Sequence, residues 1–239
     1  MKAEASAMAA VTVDLHELPT REALAEELSQ KVAYVLTAAI ERRGKALLAV
    51  SGGTTPALFF RTLSDAHIDW PRVTVTLVDE RFVPEDSPRS NARLARENLL
   101  QGKAAAAGFT GLFREGMTIE TAAAEADGVL RKLGLPIDAV VLGMGGDGHT
   151  ASFFPDADQL PALLSPTNEA VVAPVHATSA GEPRLTLTMP AIIGAPFVAL
   201  HIEGEAKRQV LASVLRGKDL PIRAVFEHAR KPVEVFWAP

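Results

Sequence analysis

Residues 143–152 read "GMGGDGHTAS", placing a histidine two residues after an aspartate inside a glycine-rich loop. An imidazole, with an unperturbed pKa of about 6.5, suits proton transfer at neutral pH, which makes His149 the candidate acid-base group and Asp147 its neighbour. The same loop fits the dinucleotide pattern G-x-G-x-x-G through Gly143, Gly145 and Gly148. That pattern needs a helix opening directly from the loop and an acidic residue at the end of the following strand. Pro155, Pro161 and Pro166 interrupt the required helix, at about 3 kcal/mol for each interior proline, and Glu169 precedes the next strand instead of ending it. The glycines therefore have another use: letting the backbone at Gly145 approach a ligand and aiming Asp147 and His149 into the space above a sheet.

A second stretch, "VSGGTTP" (50–56), follows an apolar strand and precedes a helical segment. Free N–H groups of such a turn at a helix N-terminus form an anion site, which makes Ser51, Gly52, Gly53 and Thr54 candidates for binding phosphate. Pro56 suits the first helical turn, and Thr54 or Thr55 its cap. The nucleotide-triphosphate pattern G-x-x-x-x-G-K-[ST] is absent. In "LVDERFVP" (77–84), Asp79, Glu80 and Arg81 put three charges at the ligand end of a strand. Arg184 in "EPRLTLT" and Lys207 in "GEAKRQVL" belong to the same end; with Arg81 and the Gly-Gly turn they would form an anion clamp, arginine giving forked contacts and lysine a point charge.

Other chemistries are disfavoured. No cysteine occurs and no H-E-x-x-H pair, so no metal site is expected. A G-x-S-x-G elbow is missing, Ser152 is read as a loop or cap residue, and water becomes the nucleophile. His16, His67, His176, His201 and His228 lack any surrounding pattern and are read as structural or surface residues.

Positioning these residues falls to an alternation of β-branched runs (46–50, 73–80, 138–143, 170–175, 184–189, 197–202 and 233–236) with helical segments (21–42, 56–65, 90–100, 119–133 and 205–215). Strands alternating with helices imply a parallel sheet with helices on both faces, and ligands then bind in the loops after the strands' carboxyl ends. The alternating "RLTLT" suggests a hairpin with 171–175 and a mixed sheet. The alanine run at 104–107 is the most linker-like stretch, yet the alternation continues across it, so residues 1–239 are read as one domain.

The 239 residues are 48% apolar, ample for a sizeable core. A net charge of −5 argues against binding the backbone of nucleic acid. No apolar run reaches the roughly 18 residues of a membrane span, and Glu4 interrupts the alanine-rich opening where a signal peptide would have its apolar region. A cytoplasmic protein without membrane or nucleic-acid partners is expected.

Taken in order and spacing, "SGGTTP", "DERFVP", "SNARLARENLL", "GMGGDGHTASFFP", "PRLTLT" and "GEAKRQVL" resemble the 6-phosphogluconolactonases over residues 50–215. The resemblance implies a three-layer α/β/α, modified Rossmann-like fold with a mostly parallel sheet. It also implies hydrolysis of 6-phosphoglucono-1,5-lactone in the pentose phosphate pathway, without metal or cofactor. His149 would be the base, Asp147 would orient it, and the sugar-phosphate lactone would be the partner. The candidate binding set is then Ser51, Gly52, Gly53, Thr54, Asp79, Arg81, Gly145, Arg184 and Lys207. The related glucosamine-6-phosphate deaminases continue their Asp-Gly-His loop with a glutamate where this chain has Phe154, and an apolar ring cannot relay a proton. A deaminase or isomerase, and a non-enzymatic sugar-phosphate sensor, are the alternatives. Phe153 and Asp156 depart from the family's usual leucine and glycine and leave the loop path open. A monomer or weak homodimer is expected.

Overall fold

A computed structural model describes residues 11–239; the alanine-rich opening considered above lies largely outside them. In chain order the elements are β1 (Val13–Glu17), α1 (Arg21–Arg43), β2 (Ala46–Val50), α2 (Ala57–Ser64), β3 (Val73–Leu77) and β4 (Asp79–Arg81). There follow α3 (Asn91–Asn98), β5 (Gly108–Thr110), α4 (Ile119–Leu133), β6 (Ala139–Leu142), α5 (Leu160–Leu163) and β7 (Val172–Val175). The chain ends with β8 (Arg184–Leu187), α6 (Met189–Ile193), β9 (Phe197–Glu203), α7 (Glu205–Leu215), α8 (Pro221–His228) and β10 (Val233–Ala238).

Seven strands form one sheet in the order β1-β10-β9-β6-β2-β3-β5, every neighbouring pair parallel. Helices flank it, as an α/β fold requires, because each apolar strand face must be covered. Every residue of β2 and of β6 is buried. Their continuous apolar runs are what a strand covered on both sides needs. α1 starts where the Thr20 side chain accepts from Ala23 N (3.2 Å) and ends at Gly44, whose φ of 76° only glycine adopts cheaply. Between them Leu24, Leu28, Val32 and Leu36 recur on one face and are fully buried.

The expected hairpin forms, but outside the main sheet. β7 and β8 pair antiparallel and join β4 in a separate three-stranded sheet, so the main sheet is wholly parallel, not mixed. The run read as one strand over 73–80 divides at Val78. β3 ends at Leu77 beside β2, while β4 turns away to pair with β8, its Asp79 opposite Thr186 and its Arg81 opposite Arg184. Pairing cannot continue on β2 because that strand ends at Val50, opposite Leu77. Five elements were not expected: β1, β5 and the helices α5, α6 and α8. β1 and β5 are edge strands, short or mixed in polarity, and β5 directly follows the alanine run that reads as a linker. α8 opens with a proline at its first position.

Among the described residues no helix is long and apolar enough to cross a membrane.

The join between β4 and α3 rests on Glu80, which is fully buried. Its carboxylate accepts from Asn91 N, Ala92 N and Arg81 N, each at 2.8 Å, and from Ser90 Oγ at 3.0 Å. Two of these donors are free N–H groups of the first turn of α3, where the helix dipole favours an anion. Burial nonetheless pushes the Glu80 pKa above 4.5, the hydrogen bonds opposing it only in part. Glu80→Ala would orphan three N–H groups and a hydroxyl, with an expected loss of about 2–4 kcal/mol and a Tm drop of about 2–4 °C for each kcal/mol. With a native pKa raised above the unfolded one, the carboxyl's contribution is fully present below the unfolded value and is lost as pH rises through the native value. Urea unfolding should therefore show the gap between wild type and Glu80→Ala narrowing as pH is raised through that window.

Candidate active site

A cavity of about 400 Å³ opens at the carboxyl ends of β2, β6 and β9, with β4 and β8 along one side. Ser51, Gly52, Gly53, Thr54, Asp79, Arg81, Gly145, His149, Arg184 and Lys207 all line it. Asp147 reaches it through His149.

The turn after β2 is tied to β6 and to the loop that follows it: Ser51 N donates to Val141 O (3.0 Å), and Gly143 N donates to Ser51 Oγ (3.1 Å). At Gly52 a Cβ would lie 1.8 Å from Asn91 Oδ1, so only glycine lets this turn pass the α3 N-terminus. Gly53 has φ 93°. The expected threonine cap is absent: α2 begins at Ala57 with Pro56 as its N-cap and no side-chain hydrogen bond. Thr55 Oγ1 instead accepts from Lys207 Nζ at 3.2 Å.

Along β4, successive side chains alternate. Glu80 points to α3, and Asp79 and Arg81 point into the cavity. Ser152 Oγ donates to Asp79 Oδ2 at 2.6 Å, a more specific task than the loop or cap role read from sequence. Arg81 Nη1 donates to Arg89 O (2.7 Å) and Asn91 Oδ1 (3.0 Å), while Asn91 Nδ2 donates to Asp79 O (2.9 Å).

In the loop after β6, Asp147 Oδ1 lies 2.6 Å from His149 Nδ1 and 3.1 Å from His149 N. A carboxylate only accepts, so the proton sits on Nδ1 and the lone pair of a neutral ring on Nε2. Phe154 covers the imidazole at 4.6 Å between ring centroids, tilted by 34°, and the Arg184 guanidinium stands 5.6 Å from the Phe154 centroid. The glycines have specific steric reasons. A Cβ on Gly145 would lie 2.3 Å from His149 Cε1 and 2.7 Å from Asp147 Oδ1, and Gly148 combines φ 79° with a Cβ position 2.5 Å from Leu220. Ala151, with φ 50°, holds a left-handed conformation without being glycine, and such strain concentrates at functional loops.

Arg184 is 6% exposed; Nη2 donates to Ala180 O (2.7 Å) and Nη1 is 3.6 Å from Glu182. Burial lowers its pKa, the Arg81 charge adds to the effect, and Asp79 and Glu182 oppose it. Burial likewise lowers the Lys207 pKa. Asp156, where a departure left the loop path open, accepts from Ser179 N (2.8 Å) and Ser179 Oγ (2.5 Å), and Ser179 lines the cavity. Among the described residues no group of three or more His, Asp or Glu side chains comes together as a metal site.

A family model described as glucosamine-6-phosphate isomerases/6-phosphogluconolactonase matches residues 19–237. The chain belongs to this family. A 6-phosphogluconolactonase of Mesorhizobium japonicum is 60% identical over 222 residues, which are 92% of this chain and 93% of the relative. That of Rhizobium meliloti is 49% identical over 96% of this chain and 100% of its own. The crystal structure of a 6-phosphogluconolactonase from Shewanella baltica superposes with a TM-score of 0.91 at 42% identity, covering 95% of this chain and 98% of that one.

Within this family fold, cavity residues that sequence reasoning missed are Asn91, Arg89 and His201. For Asn91 the signal in the sequence is its place in the first turn of α3, directly after the cap Ser90. His201, read as structural or surface, is buried and faces the cavity from the carboxyl half of β9, where the rule for ligand loops applies. Gly145→Ala is expected to push the imidazole off Asp147 and to cost about 1–3 kcal/mol through overpacking. Imidazole ¹⁵N shifts would report it; an unchanged Nδ1–H signal would refute the clearance argument.

Proposed function

We propose that the chain is a hydrolase that opens 6-phosphoglucono-1,5-lactone to 6-phosphogluconate, a cytoplasmic step of the pentose phosphate pathway. The observation that carries the reading is His149 with its Nδ1 held by Asp147 and its Nε2 without a hydrogen-bond partner among the described residues, in one cavity with Arg81, Arg184 and Lys207. The likeness to 6-phosphogluconolactonases over nearly the full chain supports the substrate.

A lactone is an activated ester. Water attacks C1 while His149 Nε2 takes its proton, and the carbonyl becomes a tetrahedral oxyanion. Collapse breaks the bond from C1 to the ring oxygen, and the imidazolium returns the proton to that oxygen, leaving a carboxylic acid that ionises. One histidine thus serves both proton steps, help worth about 10²–10⁴-fold. Asp147 fixes the tautomer and stabilises the imidazolium between the two steps.

At the other side of the cavity the phosphate meets the N–H groups of Gly52 and Gly53, the Thr54 hydroxyl and the charges of Arg81, Arg184 and Lys207. Neither Arg81 nor Lys207 makes an ion pair among the described residues, so their charges stay available to an anion. Asp79, with one oxygen held by Ser152, offers the other to a sugar hydroxyl. Binding energy at the phosphate fixes the orientation of C1 against the base. The apolar face of Phe154 leaves His149 a single carboxylate partner, which favours hydrolysis over the deaminase alternative.

The test is hydrolysis of freshly generated lactone, followed as acid release with the spontaneous rate subtracted. His149→Ala is expected to lower kcat by about 10²–10⁴-fold. Arg184→Ala should instead mainly raise KM. The same kinetic change in both variants would refute the division of roles, and ammonia release from glucosamine 6-phosphate would point to the deaminase.

A further inference from the structure

The first residue of α3 has no part in the mechanism above, yet it lines the cavity and is only 3% exposed. Asn91 is held from two directions: its backbone N–H donates to Glu80 Oε1 at 2.8 Å, and its Nδ2 donates to Asp79 O at 2.9 Å. The remaining side-chain atom, Oδ1, accepts from Arg81 Nη1 at 3.0 Å. These partners decide which way round the amide sits. Flipped, it would set an N–H against a guanidinium that only donates and an oxygen against a carbonyl that only accepts. The same amide packs against the turn after β2, where a Cβ on Gly52 would lie 1.8 Å from Oδ1 and 2.7 Å from Nδ2. One buried side chain therefore touches both the Gly-Gly turn and Arg81, two of the groups that face an anion in the cavity.

The chemistry at this position calls for a neutral acceptor. In the first turn of a helix the dipole favours a carboxylate, and an aspartate has nearly the size of asparagine and could also accept from Arg81. Such a carboxylate would form a charge-assisted bond with the guanidinium and would stand against the Gly52 turn. Both effects oppose an incoming phosphate, the first by cancelling the Arg81 charge and the second by repulsion. An amide orients the guanidinium and leaves its charge to the ligand. The other hold on Arg81 Nη1, from Arg89 O at 2.7 Å, is neutral as well. A side chain shorter than asparagine would leave the guanidinium with that carbonyl alone and open a gap beside Gly52.

We propose that Asn91 is a positioning residue: its side-chain amide sets Arg81 against the Gly52 turn as two walls of one phosphate subsite, without cancelling the arginine's charge. The proposal deepens the functional reading above and rests on it for the identity of the ligand.

The test compares wild type, Asn91→Ala, Asn91→Asp, Arg81→Met and the double variant Asn91→Ala/Arg81→Met. Each is measured by hydrolysis of 6-phosphoglucono-1,5-lactone and of the unphosphorylated glucono-1,5-lactone, and by calorimetric titration of 6-phosphogluconate, with the melting temperature as a check on folding. Asn91→Ala is expected to raise KM for the phosphorylated lactone and the Kd of 6-phosphogluconate about tenfold, with a smaller fall in kcat. The preference for the phosphorylated over the unphosphorylated lactone should drop by a similar factor, which a general loosening of the fold would not produce. In the Arg81→Met background the alanine should add little, since residues in contact act non-additively. Asn91→Asp should weaken 6-phosphogluconate more than alanine does. Both variants lose the donor to Asp79 O, so the comparison turns on the charge beside Arg81; a side chain wanted only for its volume would give the opposite order. Should Asn91→Ala fail to fold, Asn91→Ser takes its place in both backgrounds with the same expectation. The proposal is overturned if the preference for the phosphorylated lactone is unchanged, if the loss is equal with and without Arg81, or if the aspartate variant binds as tightly as wild type. A wild type that binds 6-phosphogluconate but leaves the lactone at its spontaneous rate removes the hydrolase reading alone, and the binding cycle still decides the role of Asn91. A wild type that does not bind 6-phosphogluconate overturns both.

Discussion

The cavity depends on one buried anion that never faces it. Glu80 accepts four hydrogen bonds from β4 and from the first turn of α3, and so fixes how a three-residue strand meets a helix. Strand alternation does the rest: with Glu80 turned to the helix, Asp79 and Arg81 must turn to the cavity. Asn91, whose N–H is one of the four donors, then bridges Asp79 O and Arg81 Nη1 with its side-chain amide. The same amide passes so close to the turn after β2 that only glycine fits at position 52. A carboxylate that costs free energy to bury thus sets the relative placement of three loops, at a point where the main sheet has run out of partners.

The glycine loop illustrates how one spacing can arise from two sets of forces. In a dinucleotide site, glycines at these positions allow a tight turn, close approach of a pyrophosphate and helix packing. Here Gly145 clears the space that the Asp147–His149 pair occupies, and Gly148 supplies a positive φ beneath Leu220. No long helix follows, and the chain makes a turn around the left-handed Ala151 that brings Ser152 to Asp79 and Phe154 to the imidazole. The proline-rich sequence after the loop carried that information, since prolines forbid the helix the dinucleotide site needs.

Legibility in the sequence followed the range of the forces involved. Strands such as 46–50 and 139–142 are apolar throughout because both faces are covered, a requirement visible in a handful of residues. Edge strands β1 and β5 meet no such requirement and left no pattern. The break at Val78 was hidden because "VTVTLVDE" is a good strand locally; what divides it is the end of β2 at Val50, far away in sequence. Residues 79 and 81 were legible as charges out of place on a strand, whereas Arg89 and Ser179 were not. Nothing in their neighbourhoods distinguishes them from surface polar residues until the second sheet and the α3 N-terminus bring them to the cavity rim.

The three cations also differ in how the fold holds them, and the differences suit the proposed role of holding a phosphate away from the proposed base. Arg184 is deeply buried, braced by Ala180 O and Glu182, with its guanidinium above Phe154, so it is a fixed part of the wall. Arg81 is held by neutral acceptors, the Arg89 carbonyl and the Asn91 amide, which orient the fork without cancelling its charge. Among the described residues Lys207 contacts a threonine hydroxyl and no carboxylate. A chain with a net charge of −5 thereby keeps a concentrated positive wall at one end of its sheet. Because Phe154 stands between Arg184 and His149, that guanidinium can take its proposed part in holding a phosphate without touching the imidazole that the proposed mechanism asks to accept a proton.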